Sequence, residues 1–464
     1  VKTPAGTVRW VLAALLLAGA CDRPGPGRAP TRAPSTDDLS GIRLQELQIR
    51  PALASAAQYG QPRAHALSSV ENAIAQQLGA VELEHLPALS AMTRELARTS
   101  PDDINVPPAL VDALMARAGL VHPPPRLVVV ELGNDREGCE TTPNAGCQAA
   151  IASLAEQAAS LLPGDVLGEL RSNVRFGVGV VGLPGGRTRM MVALLELAVA
   201  LEPIPTMVAR GGVVTLHGRL LGPRQHPHVE VVDARGGWVS VPVGISVDGS
   251  FNAEVRCVDD GIAQVEVLAD GPHGPEVVAN FPLHCATRPP DTISVVVEEV
   301  DPDVSADQIA RANFIYLNEE RERRGLAPVA WDPDAAGVAT GHSEDMRDHG
   351  FVGHHSPRTG DVTARFERAG MTGTVIRENV ARGYGPKGIH DSLMRSPGHR
   401  VNILAPDVTH VGVGAVLGPK ESSVIGAPRP VFATQNFYKK PGAGAPPEDQ
   451  LASTLQQRVD GLRR

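Results

Sequence analysis

The sequence predicts a multidomain α+β protein, on three observations. Its 464 residues make a length of about three domains at ~150 residues each. Residues 206–286 hold six short runs rich in β-branched residues, parted by Gly, Pro and Asp, the pattern of an antiparallel β sandwich. Residues 41–125 and 305–349 carry apolar side chains at three- and four-residue spacing, which reads as helix. A hydrophobic content of 42% with 20% charged residues is that of a folded chain and not a disordered one. The net charge of −9 leaves no basic field to attract phosphates along a polymer, so nucleic acid is excluded as the main partner. Of fifteen aromatic residues nine lie after residue 300, which places the best-packed core near the C-terminus.

Residues 1–21 read as a lipoprotein signal peptide. Lys2 and Arg9 form a basic start, Trp10–Ala18 is a short apolar stretch, and Leu17-Ala18-Gly19-Ala20 sets small residues ahead of Cys21. A stretch this short is an export signal and not a membrane span. The pattern resembles a bacterial lipobox, which implies acylation of Cys21 and an envelope location, lipid-anchored and facing the periplasm or exterior. The alternative is an ordinary signal peptide with an incidental cysteine. Residues 22–40 are rich in Pro, Gly and Ser without apolar period, as in a tether.

The next region, 41–204, reads as helical with some strand. Leu44, Leu47 and Ile49, then Val70, Ile74 and Leu78, then Leu110, Leu114 and Met115 supply the spacing, with a strand at Leu127–Leu132 and a helix at Ala149–Leu162. Residues 205–288 are the β sandwich, and the pattern looks like an immunoglobulin-like module. Cys139 with Cys147 and Cys257 with Cys285 are neighbours in sequence, and proximity pairs them as disulfides in an exported chain; neither pair has zinc-ligand spacing. A linker is expected at 289–304. Within 305–440 the helices fall at Asp307–Arg324 and Asp334–His349 and the strands at His410–Leu417 and Pro430–Tyr438. Residues 441–464 form a polar tail.

The C-terminal block carries a run of motifs in fixed order. Leu317-Asn318-x-x-Arg321 leads to Gly325-Leu326-x-Pro328-Val329-x-Trp331-Asp332, followed by His342-Ser343-x-Asp345-Met346 and Phe351-x-x-His354-x-Ser356-Pro357. Glu378-Asn379-Val380-Ala381, Ser396-Pro397-Gly398-His399-Arg400-x-Asn402 and Val411-Gly412-Val413-Gly414 complete it. Together these resemble the bacterial branch of the CAP superfamily, the cysteine-rich secretory, antigen 5 and pathogenesis-related proteins. The resemblance implies an α-β-α sandwich with a surface cleft, in which two histidines and two acids can hold a divalent cation. Matched position by position, the histidines fall on His354 and His399, the first acid on Glu378, and the second acid near Ser396, which carries no charge.

Two imidazoles and one carboxylate suit Zn²⁺ and would leave a coordination position open for water. The same three residues can equally form a hydrogen-bonded cluster in which the carboxylate orients the rings. His342 reads as a core residue, His355, His390 and His410 as surface residues, and Trp331 as core.

A fainter version of the C-terminal pattern occurs earlier. Ala113–Leu120 resembles Thr363–Met371, and Phe176–Gly182 resembles Val411–Gly418, in the same order. A degenerate second CAP-like domain over about 65–200, without either histidine motif, would explain both; common local patterns would too. The leading functional expectation is a binding module for an envelope glycan, lipid, peptide or protein. A divalent-metal-dependent hydrolase or peptidase is the second, and a structural envelope protein the third.

Overall fold

The computed structural model describes residues 34–80, 82–101, 106–133, 139, 145–160, 173–419 and 429–441. The signal peptide with Cys21, the first part of the tether and residues 442–464 lie outside the described residues. Among the described residues no helix is long and apolar enough to cross a membrane. The architecture is mixed α+β, in three packed units.

The first unit is built on a four-stranded sheet in the order Glu84–His85, Val174–Leu183, Arg187–Glu196, Arg126–Leu132. The short first strand runs parallel to its neighbour and the other pairings are antiparallel. Alternation along Arg187–Glu196 sends Met190, Val192 and Leu194 to one face and Met191, Ala193 and Leu195 to the other. Helices Ser69–Gly79 and Ala145–Ser160 cover the first face, and Pro87–Thr99 and Pro108–Ala118 the second. The helix Ser69–Gly79 starts where Ser68 and Glu71 form a capping box, and two others start on a Pro at the first turn. A disulfide joins Cys139 to Cys147.

The second unit packs two sheets face to face. One has the order Val243–Ile245, Ser250–Arg256, Val213–Leu220, Val199–Leu201; the other runs Trp238–Val241, Gln225–Val232, Gly261–Gly271, Gly274–Cys285, Met207–Val208. Leu216, Phe251, Val255, Val229, Val265, Val267 and Phe281 interdigitate between them. The disulfide Cys257–Cys285 closes one end.

The third unit repeats the layering of the first. Its sheet runs Ala330–Trp331, His410–Leu417, Val431–Tyr438, Ile376–Gly383, again with only the first pairing parallel. Ala306–Arg323, Pro386–Arg395 and Pro397–Ile403 cover one face, while Pro333–His349 and Val362–Arg368 cover the other. Gly412 and Gly414 let the helix Pro333–His349 lie directly on the strand, since a Cβ at either would stand 2.1 Å from helix backbone atoms at Ala335 or Thr340. Gly177 and Gly179 do the same for Pro87–Thr99, with Cβ positions 2.5 and 2.4 Å from its backbone.

Five expectations need correction. Ile42–Ile49 is a strand and not a helix: it pairs antiparallel along its whole length with Ile293–Val300, which in turn replaces the expected linker at 289–304. Each strand depends on a partner some 250 residues away, and no local period announces that. The tether ends before residue 40, because Thr36–Leu39 forms a 3-10 turn, Pro34 is buried and Asp38 reaches Arg311 at 3.8 Å. His390 is buried at 2% exposure against the Tyr316 ring, not on the surface. The two-sheet unit begins at Val199 and not at 205.

Candidate functional site

Three elements converge on the cleft of the C-terminal unit. The helix Pro333–His349 stops at Gly350, whose left-handed backbone turns the chain into the loop that carries His354. The fully buried His342 holds that loop, with Nε2 2.9 Å from the Gly353 carbonyl, so its core reading stands. Glu378 projects from the strand Ile376–Gly383, and His399 from the helix Pro397–Ile403, which Ser396 caps through its hydroxyl.

The Glu378 carboxylate is almost fully buried, with 3% of its side chain exposed, and both oxygens are engaged. Oε1 lies 3.1 Å from His354 Nδ1, and Oε2 accepts from Arg365 Nη2 at 2.5 Å. Arg365 comes from the short helix Val362–Arg368 and also donates to the Gly360 and His354 carbonyls, which ties the loop to the carboxylate. His399 faces His354, ring centroids 6.1 Å apart. Burial, and after it the neighbouring His354, pushes the His399 pKa down to about 3, so this ring is neutral at physiological pH. Asn379 donates to the His399 carbonyl, and Asn402 donates to the Glu378 carbonyl and to Asn379 Oδ1. Both asparagines sit in the sequence motifs and act by fixing the backbone beneath the cleft.

The second unit leans on this site. On the strand Gly261–Gly271, Val265 and Val267 face the sandwich core while Glu266 faces outward, yet Glu266 is completely buried because the C-terminal unit covers it. Its carboxyl accepts from Ser396 Oγ (3.1 Å), the Gly398 amide (3.3 Å) and Asn280 Nδ2 (3.0 Å). A carboxyl group thus stands beside the serine where the second acid was expected, supplied by another part of the chain. Burial outweighs these three donors and raises the Glu266 pKa to about 8. At the tip of the same hairpin His273 stacks on Phe351 at 4.4 Å, and its carbonyl accepts from the His355 amide.

The structure therefore brings His354 and Glu378 into contact and sets His399 beside them, while Ser396 turns away toward Glu266. The residues do not fit a resident metal. Among the described residues no group of three or more His, Cys, Asp or Glu is placed to hold one, and the only cleft carboxylate is committed to a guanidinium. Sequence reasoning missed Arg365, Glu266 and His273. Arg365 lies inside the recognised block but outside its motifs; Glu266 reads as an ordinary exposed position of an alternating strand.

The third unit has the α-β-α layering and the two cleft histidines that its sequence resemblance implies. Residues 314–437 match the family model for the cysteine-rich secretory protein family, and this part of the chain is a CAP domain. The chain is 37% identical over 100 residues to the uncharacterized protein YkwD of Bacillus subtilis, covering 21% of this chain and 39% of that protein. It is 38% identical over 125 residues to the uncharacterized membrane protein YlbC of the same organism, covering 26% and 32%. The match thus spans 39% of one relative and 32% of the other. An extracellular SCP-domain protein from Bacillus anthracis aligns in structure at 22% identity and a TM-score of 0.26, over 53% of this chain and 83% of that one.

Proposed function

We propose that this chain is an envelope-tethered binding protein, anchored through Cys21, whose CAP domain engages a glycan, lipid, peptide or protein of the envelope or its surroundings. The observation that carries the binding reading is the closed charge balance of the cleft: Glu378 has both oxygens engaged and His399 is held neutral. Such a cluster is built to stay rigid and offers neither a free carboxylate base nor an open ligand set. The membrane protein YlbC among the relatives supports the envelope location.

The two-sheet unit is then an immunoglobulin-like spacer, and the region of about 65–200 a degenerate CAP copy. The shared strand order and the paired glycines support the second reading. Registers support it further. Gly412 pairs with Asn436 and Asn436 with Glu378, whereas Gly177 pairs with Ala193 and Ala193 with Leu127. Leu127 stands where the cleft carboxylate would be, so this copy has lost its polar site.

Two experiments test the proposal. Calorimetric titration of Zn²⁺ into the protein and into a His354→Ala, His399→Ala variant should show no difference in uptake; stoichiometric zinc uptake by the unsubstituted protein alone would favour the hydrolase reading. Replacing Cys21 by Ser should move the protein from the membrane fraction to the soluble one, and an unchanged distribution would remove the anchor.

A further inference from the structure

A second site lies at the seam between the two-sheet unit and the CAP domain, away from the cleft. The turn 233–236, the ends of helices Ala306–Arg323 and Pro386–Arg395, and the helix Pro397–Ile403 enclose a cavity of about 250 Å³. Arg235, Arg324, Arg395 and Arg400 line it, with Asp233 as the one acid on its wall. Three of these arginines have carboxylates elsewhere. Arg235 pairs with Asp259 at 2.6 Å, Arg324 donates through Nε to Glu320 at 2.8 Å, and Arg395 pairs with Asp112. Asp233 spends its carboxylate on the amides of Arg235 and Gly237.

Arg400 is different. Its guanidinium makes no ion pair among the described residues, and its Nε, like that of Arg395, is buried with no hydrogen-bond partner. Burial, and after it the charge of Arg324, lowers its pKa against the opposing pull of Glu320, which is itself paired with Arg324. The two groups converge on one spot: a Cβ at Gly236 would lie 3.1 Å from Arg324 Nη1 and 3.1 Å from Arg400 Nη2. Two guanidinium groups aimed at the same half-enclosed space, one without a partner, repel each other and lose hydration. An anion between them reverses both effects.

We infer that this cavity is an oxyanion site for a phosphate group, held by Arg400 and Arg324 with Arg235 and Arg395 at its rim. A carboxylate is satisfied by a single guanidinium fork, whereas donors arriving from several directions match the tetrahedral oxygens of a phosphate. The volume leaves room for the group esterified to it. The site rests on none of the cleft residues, so it stands or falls independently of the function proposed above.

The test is calorimetric titration of the full chain with inorganic phosphate at fixed ionic strength, against chloride as the control. The expected result is saturable one-to-one binding that weakens about tenfold or more in Arg400→Gln, the effect of removing a charge-assisted contact. Circular dichroism checks that the variant is folded; if it is not, Arg324→Gln serves the same purpose. No phosphate binding beyond that of chloride, or unchanged binding by a folded variant, overturns the inference. Glycerol 3-phosphate and a short-chain phosphatidylglycerol, titrated in parallel, separate the sources. Tighter binding of the first supports a soluble phosphate ester, and tighter binding of the second a lipid headgroup.

Discussion

Replacing Glu378 by Gln keeps the shape of the cleft and removes one charge from its most buried ion pair. Arg365 has 5% of its side chain exposed and Glu378 3%, so the guanidinium cannot turn to water when its partner is neutralised. Breaking one side of a buried pair costs about 3–5 kcal/mol. The lower end applies here, about 3 kcal/mol, because the Gln oxygen still accepts from Arg365, which also keeps the Gly360 and His354 carbonyls. The combined Glu378→Gln, Arg365→Met variant should lose less than the sum of the two single changes, by at least ~1 kcal/mol, since it removes the stranded charge. A chain of several units has no single unfolding free energy, so the reporter must be local. Trp331 lies in the first strand of the CAP sheet, its ring T-shaped to Phe314, and substituting Phe for Trp10 and Trp238 makes it the only tryptophan. Urea unfolding followed by Trp331 fluorescence then reads the domain alone. A loss below about 1 kcal/mol for Glu378→Gln, the value of an exposed pair, would refute the buried-pair argument.

Acid should destabilise the CAP domain through His390 and His399, each pushed down to about 3 chiefly by burial. The unfolded chain takes up these protons near pH 6.5 and the folded one does not, so each contributes a loss of about 1.4 kcal/mol per pH unit as pH falls from about 6 toward 3. The same urea assay at several pH values should find a shallower acid limb in His390→Leu; an identical slope would contradict the burial of that ring. Glu266 acts in the opposite direction. Its pKa is raised to about 8, so the stability it contributes is complete below about 4.5 and is lost as pH rises through 8. Glu266→Gln should therefore flatten the fall of the stability profile between about pH 4.5 and 8, and an unchanged fall there would show the carboxyl to be ionised already in the folded protein. Gly414→Ala forces a Cβ to within 2.1 Å of the Thr340 amide nitrogen, where only backbone can yield. A loss of about 3 kcal/mol or more is expected from such overpacking, measured by the same fluorescence, and a near-neutral change would mean that the helix does not lie on the strand.

Where each element stabilises itself locally, the sequence by itself determined it. The capping of Ala306–Arg323 by Ser305 and Gln308, the Gly350 stop and the β-branched alternation of Ile262–Asp270 all act within a few residues, and their pattern survives in one dimension. So do the cleft residues, because the motifs that carry His354 and His399 are themselves the turn and the cap that aim them, and the motif of Glu378 is a strand whose alternation sets its face. Only the tertiary structure decided what depends on distant partners. Ile42–Ile49 is a strand because Ile293–Val300 offers it a ladder of hydrogen bonds, which outweighs any helical spacing of its leucines. Arg365 neutralises Glu378 and Glu266 meets Ser396 because separate elements pack together, and packing leaves no spacing to read. Whether a charged residue is solvated or buried is a property of what covers it. That is why an alternating strand carried a buried carboxyl unannounced, and why the cleft was legible as a set of residues but not as a balanced set of charges.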